Sequence, residues 1–185
     1  MNIPEGKKVI LYVPTYREYW FNKKLENVFP IPLDLDLWEE KLGDEYVLLI
    51  RAHYFISSAD GLYMNSFVQD VTNYPRLNDL YAISDLMISD YSSAFFDYAI
   101  LDRPMLCFAF DMDEYQEKRG LYLDLAVVLP CTVDRDQYTL LEHILRLDKQ
   151  AYIEKAKAFH NRFAPNADHA CQIVVDEMER RINNL

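Results

Sequence analysis

The stretch Leu86–Asp102, LMISDYSSAFFDYAILD, decides the fold. An apolar run from Leu86 to Ser89 enters the polar Asp90, Tyr91, Ser92 and Ser93, and an amphipathic pattern follows at once. This order predicts a strand, a tight turn and a helix from Ser92 to Leu101 that buries Phe95, Phe96, Ala99 and Ile100. Open α/β sheets hold phosphate at such places, because the first turn of a helix carries N–H groups without intrahelical partners and the positive end of its dipole. Ser92 and Ser93 would add hydroxyl donors. The competing reading is that Ser92 only caps the helix and Asp90 only ends the strand.

Working outward, Lys8–Pro14 reads as a buried strand because VILYVP is continuously apolar. Asp34–Leu42 follows as a short helix, with Asp34 as its cap and Leu35, Trp38 and Leu42 on one face. Tyr46–Ala52 and Phe67–Val71 are further strands, and Arg76–Ser84 is helical. Beyond the central stretch, Met105–Phe110 is a fifth strand and Asp124–Pro130 holds a sixth. Helices close the chain over Asp136–Leu147, Lys149–Phe163 and Ala167–Asn184, and Arg17–Pro32 reads as a long loop. Strands alternating with helices imply an α/β fold, a Rossmann-like open parallel sheet with helices on both faces and right-handed crossovers. At 185 residues, 51% of them hydrophobic, a single domain over 1–185 is the expectation.

Such sheets bind ligands outside the carboxyl ends of their strands. That rule gathers Pro14, Thr15, Tyr16 and Arg17, then Arg51, Ala52 and His53, then Asp70, Val71 and Thr72, then Asp90 to Ser93, along one rim. His53 lies two residues after Arg51, so the two side chains can point the same way from the strand's end. Its imidazole can donate to a phosphate oxygen or move a proton near neutral pH, or it can simply bond a neighbouring loop. Asp97, one turn into the central helix, can reach ribose hydroxyls or merely complement the helix dipole. Asp90 either orients the turn or faces the ligand, and the chain alone does not choose. Asp111, Asp113 and Glu114 match no calcium loop and read as a solvated turn. Tyr12, Tyr74, Tyr81 and Tyr98 read mainly as packing residues.

A net charge of −11 argues against nonspecific nucleic-acid binding and against docking on an anionic lipid surface, so any phosphate ligand must meet a local basic pocket. No apolar stretch reaches the length of a membrane span, and no signal-peptide pattern opens the chain, so a cytoplasmic protein without direct membrane insertion is expected. Cys107, Cys131 and Cys171 are odd in number and widely spaced, which supports neither a disulfide framework nor a zinc site. Four glycines and no G-x-G-x-x-G or Walker-type loop weaken dinucleotide and ATP readings. No cofactor is called for, and whether a divalent metal assists is left open.

Taken with VQDVTNYPRLNDLYAISD (Val68–Asp85), RPMLCFAFDMDEYQEKRGLYLD (Arg103–Asp124) and KKVILYVPTYRE (Lys7–Glu18), the central stretch closely resembles the CDP-glycerol glycerophosphotransferase family, which includes teichoic acid primases and polymerases. The resemblance runs from about Lys7 to about Asp176 and is most specific between Asp70 and Gly120. It implies the C-terminal, nucleotide-binding half of a GT-B-type transferase, with the acceptor-binding half absent from this chain. It implies a nucleotide-activated alditol donor, CDP-glycerol, and a lipid-linked acceptor reached through the missing half, the full-length enzyme sitting peripherally at the inner face of the membrane. By the same resemblance His53 matches an active-site histidine, catalytic toward the departing CMP phosphate. Ser92 and Ser93 would hold the pyrophosphate. Arg119, in the family-like EKRGLY run, would neutralise phosphate, and Asp70, Val71 and Thr72 would contact base or ribose. Pro130-Cys131 and His169-Ala170 depart from the family's glycine-containing pattern, and they leave a CDP-ribitol or nucleotide-sugar transferase domain open. A noncatalytic interaction module is the alternative of a different class.

Overall fold

In the computed structural model, which describes residues 3–21, 28–53, 58–60 and 64–184, the central stretch folds as a strand, β6 (Leu86–Ser89), a turn, and a short helix, α3 (Ala94–Ala99). Around it lie β1 (Lys8–Tyr12), β3 (Tyr46–Ile50), β5 (Val68–Asp70), β7 (Met105–Phe108) and β8 (Val133–Asp134). They form one six-stranded sheet in the order β5-β3-β1-β6-β7-β8, with every pair parallel. Numbered within the sheet, this is the doubly wound order 3-2-1-4-5-6. Strands β1, β3, β6 and β7 are almost wholly buried, which explains why they read as unbroken apolar runs rather than alternating ones. A separate parallel pair joins β2 (Val28–Pro30) to β4 (Ser58–Asp60), so the segment expected as one loop from Arg17 to Pro32 ends in a strand.

The helices are α1 (Leu35–Leu42), α2 (Leu77–Ile83), α4 (Met112–Lys118), α5 (Leu125–Val128), α6 (Gln137–Leu145), α7 (Lys149–Phe163) and α8 (Ala170–Ile182), the last preceded by a 3-10 turn at Ala167–His169. Aspartates start four of them. Asp34, Asp124, Asp136 and Asp148 each accept a backbone N–H one or two residues into the helix they open, which employs part of the chain's acidic excess locally.

Three expectations are corrected. Asp124–Pro130 is the capped helix α5, not a strand, and the sixth strand is β8. The acidic group at Asp111, Asp113 and Glu114 opens helix α4. The central helix is shorter than Ser92–Leu101, and Tyr98 is buried in it while Ile100 stands 43% exposed. Cys107 and Cys131 are buried free thiols and Cys171 is exposed.

Candidate functional site

The switch point of this sheet lies between β1 and β6, where successive crossovers leave in opposite directions. Tyr12 pairs in register with Ile50 on one side and Ile88 on the other, so the segments after β1, β3 and β6 emerge at one level. Between them is a cavity of about 440 Å³. Its wall carries Pro14 and Thr15 from β1, Arg51 and His53 from β3, Leu77 and Tyr81 from α2, Ser92, Ser93 and Asp97 from the turn and α3, and Arg119 after α4. Two arginines and an imidazole against one carboxylate make this a locally basic hollow on an acidic chain.

The turn is built to present hydroxyls. Ser92 Oγ accepts the Ala94 N–H at 3.1 Å, so the cap expected as an alternative to ligand binding is present, and it leaves the hydroxyl proton able to donate outward. Ser93 occupies the N-cap position without using its side chain there, and it is exposed. Arg51 is held by carbonyls of the loop after β5: its Nη1 donates to Val71 O at 3.0 Å, Thr72 O at 3.1 Å, and Tyr74 O. Thr72 Oγ1 accepts the Ala52 N–H at 3.0 Å, and Asp70 Oδ1 accepts the Thr72 N–H at 2.8 Å. Asp70, Val71 and Thr72 therefore stand behind Arg51 instead of on the cavity wall, because their polar groups face the neighbouring loop.

His53 stacks on Tyr16 with ring centroids 5.0 Å apart. Partial burial lowers its pKa from the ordinary histidine value, so at neutral pH the imidazole of the free protein is neutral. Arg119 Nη1 also bonds Glu18 at 2.7 Å across an exposed ion pair, which ties the loop after α4 to the loop after β1.

Asp90 is placed differently from the rim residues. Its side chain is fully buried, with Oδ1 accepting from the Thr15 N–H, the Thr15 hydroxyl and the Tyr91 N–H, and Oδ2 accepting from Arg17 Nη2 at 2.9 Å. Asp90 orients the turn and does not line the cavity. Arg17 also grips Asp111 with a two-point fork, Nε and Nη2 each at 2.8 Å. The guanidinium lies 4.8 and 5.0 Å from the ring centres of Tyr91 and Tyr115, which stack on each other 3.8 Å apart. Burial would weaken the guanidinium's hold on its proton, but Asp90 and Asp111 more than reverse this and push its pKa further up. Asp111 is thus a buried ion-pair partner and not part of a solvated turn, because its side chain is only 6% exposed. Sequence reasoning placed Arg17 on the rim but missed this cluster, whose members come from three distant segments.

Among the described residues no three His, Cys, Asp or Glu side chains gather as a metal site, and no helix is long and apolar enough to cross a membrane.

Comparison with known proteins sharpens this geometry. Residues 1–178 match the family model described as CDP-Glycerol:Poly(glycerophosphate) glycerophosphotransferase. A teichoic acid poly(glycerol phosphate) polymerase of Staphylococcus epidermidis is 45% identical over 168 residues, covering 88% of this chain and 23% of that protein. The solved structure of the wall teichoic acid polymerase TagF is 40% identical and superposes with a TM-score of 0.83 over 99% of this chain and 46% of that one. A variant of that polymerase soaked with CDPG is 39% identical, with a TM-score of 0.80 over 98% of this chain and 45% of that one. The chain accordingly has the α/β, Rossmann-like fold of a GT-B-type half, and it spans less than half the length of these relatives.

Proposed function

The chain belongs to the CDP-glycerol:poly(glycerophosphate) glycerophosphotransferase family, and on that premise we propose that it is the donor-binding half of an enzyme that moves glycerol phosphate from CDP-glycerol to a membrane-linked teichoic acid acceptor. The observation that carries the proposal is the convergence of Ser92, Ser93, His53, Arg51 and Arg119 on one cavity at the sheet's switch point. A pyrophosphate there meets hydroxyl and amide donors from the turn and positive charge from two arginines. In the reaction, an acceptor hydroxyl oxygen bonds to the glycerol-side phosphorus while the bond from that phosphorus to the bridging oxygen breaks. The acceptor hydroxyl passes its proton to water, and CMP leaves with the bridging oxygen and its electron pair. His53 donates a hydrogen bond or a proton to that departing phosphate, where negative charge develops.

On this reading the acceptor is held by residues outside this chain, so we expect little or no transferase turnover from it alone, because positioning the second substrate supplies much of the rate. The same reading has the full-length enzyme working from the cytoplasm at the inner face of the membrane. Isothermal titration with CDP-glycerol tests the proposal. Saturable binding that weakens on replacing His53 or Ser92 is expected, and no heat at millimolar ligand counts decisively against it. Thermal shifts with CDP-ribitol and a UDP-sugar alongside separate the donor classes. A noncatalytic docking module would be indifferent to both replacements.

A further inference from the structure

We propose that the Tyr81 hydroxyl is a recognition group for the ribose of the nucleotide donor, acting beside Asp97. The inference rests on the nucleotide-donor reading and adds a residue that sequence reasoning assigned to packing. Leu77 and Tyr81 lie four residues apart on α2, and both face the switch-point cavity. Tyr81 is only 4% exposed, and its Oη has no hydrogen-bond partner among the described residues.

The neighbouring tyrosines differ. Tyr98 meets Tyr81 edge to face at 5.6 Å, and its hydroxyl donates to Ser84 O at 3.1 Å while lying 3.3 Å from Ser84 Oγ. Tyr74 bonds Asp79 at 3.1 Å. Buried polar atoms are nearly always paired, so an unpaired hydroxyl on a residue that lines the cavity points to a partner that arrives with the ligand as the wall adjusts to it. Burial raises the Tyr81 pKa well above the ordinary phenol value, Asp97 adds to the rise, and Arg51 opposes it. The hydroxyl thus stays protonated, within electrostatic reach of two other wall residues.

The chemistry of this corner suits a sugar better than a phosphate. Asp97 offers only acceptors and would repel an anion, whereas a neutral phenol both donates and accepts. A ribose diol supplies two neighbouring hydroxyls with the same double character, one to donate to Asp97 and one to exchange a hydrogen bond with Tyr81. The phosphate-suited groups Ser92, Ser93, His53 and Arg119 line the same cavity, and Arg51 lies near enough to Tyr81 to act on it.

Tyr81→Phe deletes the hydroxyl and leaves the ring packing. Its effect is read by titrating wild type and variant with CDP, 2′-deoxy-CDP and 3′-deoxy-CDP, and by melting both free proteins. Wild type should bind CDP about tenfold more tightly than the deoxy analogues. The variant should lose about that factor for CDP and lose its discrimination against one of the two analogues. The variant's melting temperature should match or exceed wild type, because an unpaired hydroxyl contributes nothing to the free fold. Unchanged discrimination in the variant, or none in wild type, overturns the assignment while leaving the donor reading intact. A variant that melts markedly lower or fails to fold also overturns it, since the hydroxyl would then have a structural partner. Absence of CDP binding by wild type removes the donor reading and this inference together.

Discussion

Replacing Arg17 with alanine would test whether the cavity's walls are held from behind. The guanidinium makes two bonds to Asp111 and one to Asp90, and it also donates to the Thr15 carbonyl. The Arg17 and Asp90 side chains are wholly buried and Asp111 is 6% exposed. Removing the cation leaves two carboxylates facing each other out of water, and breaking a buried pair from one side costs about 3–5 kcal/mol. Asp111 can regain some water through a small loop movement, but Asp90 cannot without opening the turn it orients. Loss of the contacts to the Tyr91 and Tyr115 rings adds to the cost. For a domain of this size, ~3–5 kcal/mol lowers the melting temperature by about 6–20 °C. Urea denaturation followed by far-ultraviolet circular dichroism, with thermal melts in parallel, gives the number. Because Thr15 and Ser92 sit on the loops that Arg17 joins, CDP-glycerol affinity should fall as well. A triple variant, Arg17→Met with Asp90→Asn and Asp111→Asn, removes every charge and should recover part of the loss, since apolar replacement of a whole buried ion cluster is often tolerated. A loss below about 1 kcal/mol for Arg17→Ala, with ligand affinity unchanged, would refute the argument that this cluster braces the site.

Other outcomes follow from the same geometry. Ser92→Ala should cost about 1 kcal/mol in urea melts through the lost Ala94 cap and also weaken CDP-glycerol binding, whereas Ser93→Ala should weaken binding with little change in the melts. Arg119→Ala should change stability by less than about 1 kcal/mol, because its bond to Glu18 is an exposed ion pair, yet reduce affinity for CDP-glycerol in titration. His53 has a lowered pKa in the free protein, and a bound anion would raise it, so affinity for CDP-glycerol should increase as pH falls below about 6.5. His53→Asn should flatten that profile. For folding the sign is reversed: the depressed His53 pKa makes its contribution to stability complete above about 6.5 and progressively lost as pH falls through the folded value.

How much of this was legible beforehand depends on which physical signal carried it. Strand Leu86–Ser89 and helix Lys149–Phe163 were read to the residue, since a buried parallel strand and a long amphipathic helix leave strong patterns. The rim residues Thr15, Arg51, His53, Ser92 and Ser93 were gathered by topology alone, because parallel strands in register deliver their ends to one level, and Asp97 was reached from its place one turn into the central helix. Asp124–Pro130 misled because its apolar, β-branched run fits a strand as well as a single helical turn that buries only Leu125, and the Asp124 cap settles the matter only through its bond to Ala126. The acidic Asp111 was misread for a related reason. A carboxylate in a polar run looks solvated until its partner is known, and its partner, Arg17, lies in a different loop. Tyr81 escaped notice because an aromatic residue on a helix face looks the same whether its hydroxyl is paired or not.

The buried cluster also bears on which side of the switch point a ligand would occupy. The crevice outside β1 and β6 is open in principle toward both β3 and β7. On the β7 side, Arg17, Tyr91, Asp111 and Tyr115 pack together, with the two tyrosine rings stacked 3.8 Å apart, and a second cavity of about 510 Å³ lies against Tyr91, Tyr115, Ser92, Ser93 and Arg119. The cavity facing β3 is the one that holds Arg51 and His53. Two carboxylates this near a phosphate site would otherwise repel a ligand, and the guanidinium offsets one full charge while the bonds donated by Thr15 and Tyr91 hold the carboxylate oxygens turned inward. Arg17 would thus act on a donor without touching it: it fixes the spacing of the Thr15 and Ser92 loops, and it leaves the field in the β3-side cavity to the arginines on its wall.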